Sequence, residues 1–173
     1  MTVADLVASW LHEKGVTHTF GIVGGGNHTL FDAIARLGKT EIVAVHAEQA
    51  AVMAAAYFYR VSGRIAVALV TTGAGSTNAI TGVVAAWMDS IPVIVLSGNE
   101  ASRYMYQPTR VWGVQGYCSK ELVDPVCKAT MRMRAPHDVS MKWLDACLET
   151  ALKPRQGPVW VDLCKDIAGA VVE

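Results

Sequence analysis

A chain of 173 residues is about one domain's length, long enough to bury one substantial core and short for two. Lys+Arg and Asp+Glu number 15 each, so the net charge is zero, and no block of like charge offers a face to nucleic acid or an anionic membrane. Hydrophobic content of 52% with 17% charged residues is richer in apolar and poorer in charged residues than an average soluble domain, a balance suited to buried interfaces in an oligomer.

Thr2 can cap a first helix with Asp5 in its first turn, Leu6, Val7, Trp10 and Leu11 on one face and Gly15 as a stop. Thr2, Asp5, His12 and Glu13 interrupt any signal-like apolar run, so a cytoplasmic location is expected. His18 to Val23 reads as a strand, Gly24 to Asn27 as a glycine loop and the region from Leu30 to Leu37 as a helix. Glu41 to Val45 is expected to be a strand, Glu48 to Ser62 an Ala-rich helix and Ile65 to Val70 a strand apolar on both faces. A turn at Thr71 to Ser76 leads to a helix from Thr77 to Trp87, and Val93 to Ser97 forms the next strand. Ala101 to Val123 is more polar and irregular, with Arg103 to Pro108 expected at a surface or interface. Cys127 to Met133 and Val159 to Leu163 read as late strands, separated by a helix from Val139 to Leu152.

Alternating apolar strands and helices predict a single three-layer α/β domain over residues 1–173, with a central parallel sheet covered on both faces and binding loops at the strands' carboxyl ends. The longest apolar stretches, Ile65 to Val70 and Ile91 to Leu96, fall far short of the roughly 20 residues that span a bilayer. Cys118, Cys127, Cys147 and Cys164 show no CxxC spacing, so reduced structural thiols are expected and no metal ligands are assigned to this chain.

Three strand-to-helix junctions can receive a ligand on backbone N–H groups: Gly24-Gly25-Gly26, the start of the Glu48 helix, and Thr72-Gly73-Ala74-Gly75-Ser76. Neither a GxGxxG of dinucleotide-binding spacing nor a GxxxxGK[ST] occurs, which counts against a stand-alone nucleotide-binding domain. Glu48 is the most informative residue, because a carboxylate opening an otherwise apolar helix is not needed for solubility. Taken by itself, it could also be an ordinary helix-start acid.

In this order and spacing, Phe20 to Gly26, His46 to Ala51, Thr72 to Ala79, Met88 to Val93 and Gly157 to Asp162 resemble the N-terminal pyrimidine-binding (PYR) domain of thiamine-diphosphate (ThDP) enzymes of the acetolactate synthase and pyruvate decarboxylase superfamily. The resemblance covers nearly the whole chain. It implies that Glu48 is the catalytic glutamate that hydrogen-bonds N1′ of the cofactor's aminopyrimidine and so promotes loss of the thiazolium C2 proton. It also implies cofactor contacts at Gly24, Gly25, Thr72, Gly73, Gly75 and Asn78, and substrate contacts at Gly26, Asn27, His28 and Gln115. The chain departs from the synthase pattern at Val23 and Ala74, where proline is common, and at Ala47, which intervenes between His46 and Glu48.

In that family Mg2+ holds the diphosphate through a Gly-Asp-Gly to Asn segment of a second, pyrophosphate-binding (PP) domain, and no Gly-Asp-Gly occurs here. The resemblance therefore implies a PP-domain partner on a separate chain, most simply in an α2β2 heterotetramer, or a longer polypeptide. The expected activity is decarboxylation of a 2-oxo acid with transfer of the acyl-anion equivalent to an acceptor. Alternatives are a non-ligating decarboxylase of the split sulfopyruvate type and a non-catalytic PYR-like binding or regulatory protein.

Overall fold

The computed structural model describes residues 1–105, 113–133 and 135–172. The part of the expected surface loop that runs from Tyr106 to Pro108 lies outside the described residues. The elements are α1 (Val3–Glu13), β1 (His18–Gly21), α2 (His28–Leu37), β2 (Glu41–Ala44), α3 (Glu48–Ser62), β3 (Val67–Val70) and α4 (Ala74–Met88). They continue with β4 (Ile94–Asn99), α5 (Ser119–Val123), β5 (Ala129–Met133), α6 (Met141–Leu152), β6 (Val159–Cys164) and α7 (Lys165–Gly169).

The six strands form one parallel sheet in the order β2-β1-β3-β4-β6-β5. Apolar side chains alternate between its faces, as the two-residue period of a strand requires. Val67, Leu69, Ile94 and Leu96 join the core beneath α1, α2, α6 and α7, whereas Ala68, Val70, Val93 and Val95 join the core beneath α3 and α4. The second core is built of small residues, among them Ala51, Ala55, Ala79 and Ala86. Small size lets α3 and α4 approach closely: a methyl group added at Gly82 would lie 2.7 Å from Val52 Cβ and 2.9 Å from the Gln49 carbonyl oxygen.

Chain direction across the sheet reverses beside β1, which runs outward to β2 and then returns to pair with β3. In open parallel sheets, ligands bind at such a switch point, outside the strands' carboxyl ends. The loop after β1, the start of α3 after β2 and the turn after β3 all open at that edge. Among the described residues, no helix is long and apolar enough to cross a membrane.

Candidate functional site

The loop after β1 is stapled from within. Asn27, fully buried, accepts from the Gly24 N–H at 2.8 Å through Oδ1 and donates through Nδ2 to the Ile22 carbonyl at 3.0 Å. Both ends of its amide therefore serve the loop. Gly26 is also turned inward: a methyl group there would lie 2.9 Å from the Gly98 carbonyl carbon, so its α-carbon faces the end of β4. Gly25 is exposed with open space beside it, and His28 is exposed with Nδ1 3.1 Å from the Gly25 carbonyl oxygen.

Thr71, the residue after β3, joins this loop to the next. Its hydroxyl accepts from the Gly26 N–H at 3.1 Å. Methyl groups added at Gly24 and at Gly75 would lie 2.6 Å from Thr71 Oγ1 and 2.7 Å from Thr71 Cγ2. Both glycines are required by this close approach rather than by unusual dihedral angles. In the sequence, Thr71 is marked only by its place between an apolar strand and a glycine turn.

Gly73, at φ +70°, makes the turn into α4, and an added methyl group would lie 3.1 Å from both Gln115 Cγ and the Val114 carbonyl oxygen. Segment 113–116 thus lies over the turn, tied down by Thr72 Oγ1, which donates to the Gln115 carbonyl at 2.9 Å. Tyr117 adds a second tie, its hydroxyl 2.6 Å from Ser76 Oγ and 3.1 Å from the Gly73 carbonyl oxygen. Burial pushes the Tyr117 phenol above its ordinary pKa, with the Ser76 hydrogen bond opposing the shift.

Glu48 opens α3, where the positive end of a long helix favours a carboxylate. Its side chain is half-buried and points across to α4: Oε2 accepts from Asn78 Nδ2 at 3.1 Å, and Oε1 lies 3.3 Å from where a methyl group on Gly75 would sit. Gln49, the next residue, has a buried Oε1 with no hydrogen-bond partner. The structure therefore brings Glu48, Gly75, Asn78, Thr71 and Gly24 together, with Gln115 above Gly73, and leaves His28 on the surface.

All four thiols are free, and burial pushes Cys127, Cys147 and Cys164 up to about 12. Among the described residues, no group of three or more His, Cys, Asp or Glu is placed to hold a metal ion.

The profile of the family described as "Thiamine pyrophosphate enzyme, N-terminal TPP binding domain" matches residues 1–133. The chain is 38% identical to the acetolactate synthase isozyme 3 large subunit of Escherichia coli, and 36% identical to the acetolactate synthase large subunit of Buchnera aphidicola from Schizaphis graminum. Each alignment takes in 95% of this chain and 28% of the relative. A probable acetolactate synthase large subunit of Methanocaldococcus jannaschii is 32% identical over all of this chain and 28% of its own length. The chain thus spans a little over a quarter of the relatives it matches.

Proposed function

The chain belongs to the thiamine pyrophosphate enzyme family through its N-terminal TPP binding domain, and from that premise we propose that it holds the aminopyrimidine of ThDP in an enzyme that decarboxylates a 2-oxo acid and transfers the remaining acyl unit to an acceptor. The observation that carries this reading is Glu48 at the head of α3, hydrogen-bonded by Asn78 and facing Gly75 where three strand-to-helix junctions meet. The relatives are acetolactate synthase large subunits, which supports the carboligase over the simple decarboxylase.

The residues present fit the pyrimidine end of the cofactor. The ring nitrogen of a flat heterocycle needs a proton-sharing carboxyl, which Glu48 supplies at the head of α3, and Gly25 leaves the loop after β1 open beside its backbone. Gln49 Oε1 is an unmet acceptor in the same helical turn. No Gly-Asp-Gly segment of the kind that holds Mg2+ on the diphosphate occurs in this sequence. The Mg2+ ligands are assigned to a complementary diphosphate-binding domain, carried by a separate subunit or by further sequence of the same polypeptide. Exposed apolar residues on the helices beside Glu48, namely Tyr57, Val61, Val84 and Met88, support a face covered by that domain.

When bound, ThDP supplies a carbon nucleophile for the carbonyl of the 2-oxo acid and accepts the electron pair left by CO2. Glu48 shares a proton with the pyrimidine nitrogen through its carboxyl. The complementary domain removes water from around that group, which strengthens the hydrogen bond. The turn at Gly73 and the overlying Gln115 side chain wall the site and orient substrate.

Co-purification with a complementary domain bearing a Gly-Asp-Gly to Asn segment, followed by native mass spectrometry, is expected to retain ThDP and Mg2+. Pyruvate is the first substrate to try, with CO2 release and products followed together. A ligated hydroxy-keto acid supports the transferase, free aldehyde alone supports the non-ligating decarboxylase, and retention of ThDP without turnover of any 2-oxo acid supports a binding or regulatory role. Glu48→Gln should keep the fold while slowing C2 proton exchange of bound ThDP about 100-fold or more. Exchange at the unsubstituted rate would overturn the assignment of Glu48.

A further inference from the structure

We infer that Asn78 is a positioning residue, which acts through Glu48 and selects the carboxyl oxygen that carries the shared proton. The inference rests on the proposed role of Glu48 and assigns to Asn78 a task other than holding the cofactor directly.

A glutamate that shares one proton with a ring nitrogen has two equivalent oxygens and a side chain with three rotatable bonds. Unless something distinguishes the oxygens, half of the orientations aim the proton away from the ring. Asn78 Nδ2 donates to Glu48 Oε2 at 3.1 Å. An N–H donor favours the lone pairs of the oxygen it meets, so Oε2 remains an acceptor and the proton resides on Oε1. Oε1 is the oxygen that faces Gly75, where its neighbour is the Thr71 methyl group, which neither donates nor accepts.

The delivery of Asn78 to Glu48 is fixed by helix packing rather than by a flexible loop. Asn78 lies in the second turn of α4 and Glu48 in the first turn of α3. One turn beyond Asn78, Gly82 lets α4 touch Val52 and the Gln49 carbonyl at distances that any side chain there would prevent. Ala79 and Val83 bury against Ala51, Val52 and Ala55 in the same core. Two long helices held at that separation bring the backbone of Asn78 within reach of the carboxylate, so little backbone ordering is left for the moment of binding.

The first test uses the chain alone. The Asn78 side-chain amide signals, followed by 1H–15N NMR, should move with pH in the unsubstituted protein and stop responding in Glu48→Gln. Signals with the same pH response in both proteins would overturn the inference, whatever the cofactor. The second test uses the complex with its complementary domain. Asn78→Ala is expected to slow C2 proton exchange of bound ThDP roughly 10-fold while changing the Kd for ThDP by less than about 3-fold. Asn78→Asp should slow it further at high pH and recover in part as pH falls, because two adjacent carboxylates cannot both stay ionised easily. Equal losses in exchange and in affinity for Asn78→Ala would make Asn78 a cofactor-binding residue and overturn its positioning role, as would exchange at the unsubstituted rate. If the unsubstituted complex neither retains ThDP nor exchanges the C2 proton, the functional reading fails while the NMR comparison still decides whether Asn78 and Glu48 are coupled.

Discussion

Thr71 presents its hydroxyl to the Gly26 N–H and its methyl group to Gly75, so one β-branched side chain holds two loops at a common distance. Gly75→Ala is expected to destabilise the protein by about 1–3 kcal/mol, because the added carbon would sit 2.7 Å from Thr71 Cγ2. Thr71→Ser removes that methyl group and keeps the hydroxyl, so Gly75→Ala should cost less in the Thr71→Ser background. Equal costs in the two backgrounds, from urea unfolding of the four proteins, would remove the keystone role from Thr71. Glu48 was legible in the sequence because a carboxylate at the head of an apolar helix is conspicuous. An amide beside three glycines, such as Asn27, is as suited to stapling a loop as to meeting a substrate, and the stapling bonds to the Gly24 N–H and the Ile22 carbonyl are legible only in the fold.

Helix α1 begins with a reciprocal cap in which Thr2 Oγ1 accepts from the Asp5 N–H and the Asp5 carboxylate accepts from the Thr2 N–H at 2.9 Å. The Thr2 N–H, reinforced by Arg36 at 2.7 Å, holds the Asp5 carboxyl down to about 2. A depressed carboxylate stabilises the fold fully above its ordinary value of about 3.9, and that contribution is lost as pH falls through the folded value. Asp5→Ala should therefore cost about 1 kcal/mol at neutral pH, and its deficit should shrink as acid unfolding is approached near pH 2. A deficit independent of pH would mean that the charge is not what matters. Capping signals of this kind made α1 readable, and Glu48 to Ser62 was read with the boundaries that the structure shows for α3. Helix α4 starts at Ala74, earlier than the expected Thr77, because Gly73 at φ +70° turns the chain and the Ser76 hydroxyl donates to the Gly73 carbonyl at 2.9 Å. Strand β1 stops at Gly21, short of Val23, where the chain leaves the sheet to form the stapled loop. Helix α7 carries no strong periodic pattern in so short a segment and was not anticipated.

Strand β6 lies between β4 and β5, so the last strand enters the sheet's interior and carries Asp162 into it fully buried. Its Oδ1 accepts from Ser119 Oγ at 2.6 Å and Trp160 Nε1 at 2.7 Å, and its Oδ2 accepts from the Lys120 N–H at 3.1 Å. Burial raises its pKa against the pull of those donors and of Arg132. Asp162→Ala would leave three donors on α5 and β6 without their acceptor, and a loss of about 3–5 kcal/mol in urea unfolding is expected. A loss under about 1 kcal/mol would show that these donors find other partners. Apolar strands alternating with helices were enough to determine a parallel sheet covered on both faces, because burial on both sides favours apolar residues at successive strand positions. Glycine turns at strand ends likewise marked the edge where the three strand-to-helix junctions meet. The sequence order of the strands does not contain the insertion of β6, the pairing of Thr71 with two distant glycines, or the meeting of Glu48 and Asn78 across 30 residues. Each depends on the distance between elements, which is set by how small residues such as Gly82 and Ala79 let helices approach, and close packing has no one-dimensional signature.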